Sequence, residues 1–167
     1  MKKIILTLLL LSLITPITAQ TKAEKKELKQ EKAAEEYAYL KEFLSKGKLN
    51  FEAEWATTNS GRRINLIGNP NYLKIEDNKG DIYLPFFGTA HTSSVGFDGN
   101  GGIVFKGDLQ KYTVDFNDKK QRATIKFNAK SKSEYFDFTL TLYANKSGNL
   151  NVVSNSRSNM SYSGKIE

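Results

Sequence analysis

Two hydrophobic periods divide the chain. Between Lys22 and Lys46, Ala33, Tyr37, Leu40 and Leu44 fall at i, i+4, i+7 and i+11 with Phe43 beside them, which predicts an α-helix with one apolar stripe. The segment is rich in Ala, Glu, Lys, Leu and Gln, all good helix formers, and Gly47 supplies its stop. Its first half, Lys22 to Lys32, offers only Ala23 and Leu28 and so has no face to bury, whereas the second half is expected to dock on a body. No heptad persists long enough for a coiled coil.

After Asn50 the period becomes two. Phe51, Ala53 and Trp55 alternate with Glu52 and Glu54, predicting a strand with one buried and one wet face. Tyr112, Val114 and Phe116 repeat the pattern, as do Ala123, Ile125, Phe127 and Ala129, then Phe136, Phe138, Leu140 and Leu142. Short connections at Asn117 to Gln121 and Lys130 to Ser133 join these into an antiparallel meander. Shorter strands are expected at Ile64 to Ile67, Tyr72 to Glu76, Ile82 to Phe86, Ile103 to Lys106, Leu150 to Asn155 and Ser161 to Ile166. Tight turns are signalled by Asp77 to Gly80 and by Lys146 to Asn149. The fold class is therefore mainly β. An antiparallel meander of about nine or ten strands closes into a barrel or a sandwich, preceded by one N-terminal α-helix. A barrel can enclose a small ligand while a sandwich fills its core with side chains, and period-two alternation does not separate them.

The amino terminus changes the domain picture. Met1, Lys2 and Lys3 precede an apolar run from Ile4 to Ile14, and Thr18 and Ala19 provide a small-residue exit, the pattern of a secretory signal peptide cleaved after Ala19. The run is too short to cross a bilayer, which takes ~20 apolar residues. The expected organisation is a leader over 1–19, a charged helix over 20–48 and an antiparallel β domain over 49–167, the mature chain being periplasmic or secreted with no membrane span. With no cysteine in the chain there is no lipid attachment at the mature terminus and no disulfide.

Charge and composition then remove function classes. The 167 residues carry 25 Lys and Arg against 18 Asp and Glu, a formal +7, and loss of Lys2 and Lys3 with the leader leaves +5. Eight lysines and six glutamates between Thr21 and Lys48 account for part of this, so the body has no concentrated basic face and no nucleic-acid partner is expected. A single histidine and no cysteine exclude thiolate zinc, iron–sulfur and two-imidazole sites, and neither a metal nor another cofactor is expected. Asp98, Asn100 and Gly102 open like a calcium loop, but Ile103 stands where glycine is required and Leu109 where glutamate is. Arg122, Lys126 and Lys130 share an outer strand face with Tyr135 and Tyr143, and cross-strand pairing with Asp115 and Asp137 accounts for them.

The candidate site lies in one stretch. Leu84-Pro85-Phe86-Phe87-Gly88-Thr89-Ala90-His91 is followed by a loop rich in serine and glycine that runs through Phe97 to Gly102. Pro85 cannot donate to a ladder and so marks a strand end or edge, and connections this long are commonly functional. Pro85, Phe86, Phe87, His91 and Phe97 are the ligand-binding candidates, and no catalytic residue is assigned. His91 beside Thr92, Ser93 and Ser94 would need Asp98 as orienter for nucleophilic hydrolysis, but no Gly-x-Ser-x-Gly elbow exists.

The ordered pieces Phe51-Glu52-Ala53, Asn71-Tyr72-Leu73, Leu84 to Ala90, Gly101-Gly102-Ile103-Val104-Phe105 and Ser161-Tyr162-Ser163-Gly164-Lys165-Ile166 together resemble a bacterial family of exported proteins, domain of unknown function 4251. The resemblance spans Leu49 to Glu167 and implies a secreted or periplasmic protein of Bacteroidetes-type bacteria with a leader, a charged helix and a β domain. Phe86 and His91 stand where the resemblance implies tyrosines. It brings no activity. The function expected is a non-enzymatic exported β domain that binds an apolar or amphipathic small molecule, or an envelope protein, through the Leu84 to Gly102 loop. The alternatives are a structural or interaction protein of the cell envelope and, further off, an uncharacterised hydrolase.

Overall fold

A computed structural model describes residues 22–91, 101–131 and 134–167. The leader, Phe97 and Asp98 lie outside the described residues. The chain divides into two compact units, one reaching Glu31 and the other running from Lys32 to Glu167. In the first, Lys22 to Glu31 are helical and exposed throughout, as a segment without an apolar face requires.

Helix α1 spans Lys22–Ser45. Ten strands follow: β1 (Lys48–Thr58), β2 (Arg63–Asn65), β3 (Tyr72–Glu76), β4 (Lys79–Leu84), β5 (Ile103–Asp108), β6 (Gln110–Asn117), β7 (Arg122–Ser131), β8 (Glu134–Tyr143), β9 (Ser147–Ser154) and β10 (Met160–Ile166). All pairings are antiparallel, and the strands lie in the order β5-β4-β3-β1-β10-β9-β8-β7-β6, with β2 added beside β1. The meander expected from β6 onward is present, and β1 continues it by pairing with β10.

The two ends of that order are consecutive in the chain. Leu109 alone separates β5, which pairs with β4, from β6, which pairs with β7, so one segment of chain brings the sheet's edges together. The result is a nearly closed barrel rather than a sandwich. Leu109 is buried, its N–H donates to Asn78 O at 2.9 Å, and its carbonyl accepts from Asn78 Nδ2 at 3.3 Å. Just beyond it Lys111 takes a left-handed φ of 51° and the β6–β7 register shifts, an irregularity of the kind that bends a strand around a barrel corner.

The buried stripe of α1 is the expected one. Tyr37, Leu40 and Leu44 are buried, with Phe43 packed against them. Lys41 pairs with Asp118 in the β6–β7 turn at 3.2 Å, and Lys146 in the β8–β9 turn lies over the Tyr39 ring. Tyr39, Leu40 and Phe43 line a small crevice with Ile166 at the end of β10, so the second half of the helix lies at the barrel end that holds these turns.

Among the described residues, the side chains facing the barrel interior are closely packed. Phe51, Ile82, Leu84, Ile125, Leu140, Leu142 and Leu150 expose no surface to a water-sized probe, and Phe127 and Phe138 stack as cross-strand partners with centroids 4.7 Å apart. A barrel closed by about this many strands can be filled by its own side chains.

Two expectations change here. Trp55 does not share the buried face of Phe51 and Ala53, because a bulge between Ala53 and Trp55 turns the strand. Trp55 is half-buried on the outer side, with the Arg63 guanidinium 4.3 Å over its ring, and Ala56 takes the inward position. On β6, Phe116 is exposed and only Tyr112 and Val114 are half-buried, so its dry face is weaker than alternation suggests.

The bulge also explains Gly164 and Asn71. Gly164 faces Ala53, and a Cβ there would stand 1.9 Å from Glu52 O and 2.7 Å from Ala53 Cα. Both obstacles are backbone and cannot rotate away. Gly164→Ala is therefore expected to cost at least about 1–3 kcal/mol in urea unfolding, whereas Asn149→Ala on the exposed face of β9 should stay within about 0.5 kcal/mol. Beside the same bulge, buried Asn71 substitutes for a missing strand. Its Oδ1 accepts from Ala53 N at 2.8 Å and its Nδ2 donates to Ala53 O at 3.0 Å.

Candidate functional site

Strand β4 stops at Leu84 because Pro85 has no N–H to offer a ladder. Its carbonyl is used instead: Tyr162 Oη, from the buried side chain on β10, donates to Pro85 O at 2.8 Å. The chain then runs to His91 alongside the connection between β9 and β10. Ala90 bridges Arg157, His91 N donates to Ser156 O at 2.8 Å, Ser158 N to Thr89 O at 2.9 Å, and Thr89 N to Ser158 Oγ at 2.9 Å. A Cβ on Gly88 would stand 2.2 Å from Ser158 Oγ and 2.8 Å from the Phe86 ring, so a side chain here would have to displace the hydroxyl that receives Thr89 N.

These contacts shape an open depression of about 720 Å³ at the end of β9 and β10 opposite α1. The β1–β2 turn contributes Thr58, Asn59, Ser60 and Arg62, the proline segment Phe87 to Thr89 and His91, and the β9–β10 side Ser154 and Arg157 to Asn159. Phe87 is the apolar wall and the remainder is hydroxyl, amide, imidazole and guanidinium. Among the described residues lining the depression there is no carboxylate. Of the sequence candidates, Phe87 and His91 line it. Phe86, which packs on the core as Phe87 also does, lies beneath the Arg157 guanidinium, 5.1 Å from its ring, and Pro85 lies behind on Tyr162.

Arg157 gave no sequence signal and organises this end of the barrel. Both it and Glu134 are buried, and their contact is bidentate, Nε to Oε1 at 2.8 Å and Nη2 to Oε2 at 2.9 Å. Nη1 donates to the carbonyls of Gly101 and Gly102 at 3.1 and 3.0 Å, and Ser154 Oγ donates to Glu134 Oε1 at 2.6 Å. With its backbone on Ala90 and its side chain on Gly101 and Gly102, one residue holds the described residues on both sides of 92–100.

Arg62 is held differently. It is exposed, and its Nη2 donates to Phe87 O at 3.2 Å, which places a guanidinium beside the apolar wall. On the outer β7–β8 face Lys130 lies over the Tyr135 ring, and Asp137, expected to pair with the basic row, accepts instead from Asn128 opposite it in the register.

Burial pushes the Tyr162 phenol well above its ordinary value, against a smaller opposing influence of the Arg157 charge. A raised folded-state value means a contribution fully present below about pH 10 and lost as pH rises past it, since the unfolded phenol ionises first. Tyr162→Phe should cost about 1 kcal/mol at neutral pH through the orphaned Pro85 carbonyl. Above about pH 10 the wild type should lose stability faster than the variant, by up to about 1.4 kcal/mol per pH unit, so the gap between them narrows. Urea unfolding of both proteins from about pH 8 to pH 11 measures this.

Comparison with known proteins agrees with the architecture. No curated protein matches the chain. A crystal structure of a DUF4251 family protein from Bacteroides eggerthii DSM 20697 superposes with a TM-score of 0.61 at 19% identity, over 82% of this chain and 90% of that one. At this identity the likeness concerns the fold. The model of the family described as domain of unknown function (DUF4251) matches residues 31–166, from the docking half of α1 to the last residue of β10. That match takes in the barrel, the proline segment and the strand carrying Tyr162 and Gly164, and by it the chain belongs to the DUF4251 family.

Proposed function

We propose that this is an exported, non-enzymatic binding domain whose site is the depression at the loop end of the barrel, and that it takes an amphipathic ligand there. The observation that carries the reading is the seating of Gly88 to His91 on the β9–β10 connection, which builds a depression from three separate parts of the chain. Phe87 offers apolar contact and the surrounding hydroxyls, amides and guanidinium fix orientation, the usual division of labour in a small-molecule site. The close packing of the buried core side chains favours the mouth over the interior as the place for a ligand. Export rests on the basic, apolar and small-residue order of Met1 to Ala19.

The test uses protein recovered from the periplasm or the medium. Terminal sequencing should give a mature chain that starts at Gln20, and solvent extraction followed by mass spectrometry should release a small molecule from the wild type. The variant Ser60→Trp, which fills the rim at an exposed position, should release none. An unprocessed chain confined to the cytoplasm would contradict export. A wild type that yields no molecule and produces no fluorescence gain in an apolar dye would contradict the binding reading.

A further inference from the structure

Resting on that reading of the depression, we infer that its ligand is an anionic amphiphile, a small molecule whose oxyanion headgroup is received by Arg62 and whose apolar body lies on Phe87. Two arginines and the protein's single histidine line the depression, against no carboxylate among the described lining residues. The two guanidiniums have different duties. Arg157 is neutralised in place by Glu134 and has its donors directed to that carboxylate and to the carbonyls of Gly101 and Gly102. Arg62 has one bond, from Nη2 to the backbone carbonyl of Phe87, and its other N–H groups meet no described acceptor.

That single bond sets the geometry of the site. It fixes the cation against the very residue that supplies the apolar wall, so a headgroup on Arg62 leaves its attached chain beside the Phe87 ring. A guanidinium fork with free donors matches a carboxylate, phosphate or sulfate, donating to two oxygens at once. Exposed Ser60 and Thr89 and the amides of Asn59 and Asn159 share the lining and can complete the oxyanion's hydrogen bonds. A cationic headgroup would meet Arg62 with nothing on the lining to offset the repulsion.

The test is a titration of the full mature chain with n-octyl phosphate, inorganic phosphate, octanol and n-octyltrimethylammonium, each below its micelle-forming concentration, followed by backbone amide shifts. Octyl phosphate should move the amides of Ser60, Thr89, His91 and Ser158 and bind about tenfold or more tightly than either octanol or phosphate alone. The cationic amphiphile should bind most weakly. Arg62→Gln should erase the preference for octyl phosphate over octanol. Equal binding of octanol and octyl phosphate at these amides would overturn the anionic headgroup and leave the binding site intact. Equal binding of inorganic phosphate and octyl phosphate would overturn the amphiphile. If no probe moves these amides, the site itself is wrong.

Discussion

Arg157→Ala is expected to destabilise the protein by about 3–5 kcal/mol, the range for removing one member of a buried ion pair. Loss of the attraction is the smaller part of this. The variant leaves the buried Glu134 carboxyl without its bidentate partner, and it leaves the Gly101 and Gly102 carbonyls without their donor. Glu134→Gln should cost less, because its amide oxygen still accepts from Arg157 while the second donor loses its charged partner. The double variant Arg157→Met with Glu134→Leu removes both charges and should recover a large part of the loss, since apolar replacement of a whole buried pair is often neutral. Urea unfolding of the three variants measures the coupling. A loss below about 1 kcal/mol for Arg157→Ala would mean that the pair is solvated and does not hold this end of the barrel.

Phe138→Ala is expected to cost about 3–5 kcal/mol, through lost burial and the cavity that remains. The size of the effect follows from the filled barrel. Phe138 exposes 1% of its surface, stacks on Phe127 across the β7–β8 ladder and touches the Phe136 ring at a centroid distance of 5.8 Å, so three rings support one another in the middle of the sheet. Phe138→Leu should cost appreciably less. A cycle with Phe127→Leu should show coupling of about 0.5–1.5 kcal/mol for the stacked pair. If Phe138→Ala cost only about 1 kcal/mol, the barrel would contain room into which neighbours relax, and the filled interior would be wrong.

The elements of the fold were legible in the sequence because strand and helix periods are carried by nearest neighbours along the chain. Ala123 to Ala129 and Phe136 to Leu142 alternate in the sequence and are buried in the same alternation in β7 and β8. Closure was not legible. It depends on Leu109, one buried residue that joins two strands at opposite ends of the sheet order, and no period records such a pairing. Trp55 was misplaced for a related reason. A bulge shifts the alternation by one residue, and its counterpart in the sequence is Gly164, about a hundred residues away, whose missing side chain accommodates it. At the site, Pro85 and the glycines marked the right segment, since their backbone limits are local. Arg62, Arg157 and the Ser154 to Asn159 connection come from other strands and reach the depression only through the barrel's register.

The central claim is that ligand binds at the mouth and not inside the barrel. The direct measurement is the fluorescence titration of N-phenyl-1-naphthylamine with the wild type, with Ser60→Trp at the mouth and with Leu140→Ala, which makes space in the interior. Binding at the mouth predicts that Ser60→Trp abolishes the fluorescence gain while Leu140→Ala binds the dye with wild-type affinity. Unchanged binding to Ser60→Trp together with altered binding to Leu140→Ala would place the ligand inside the barrel and contradict the account.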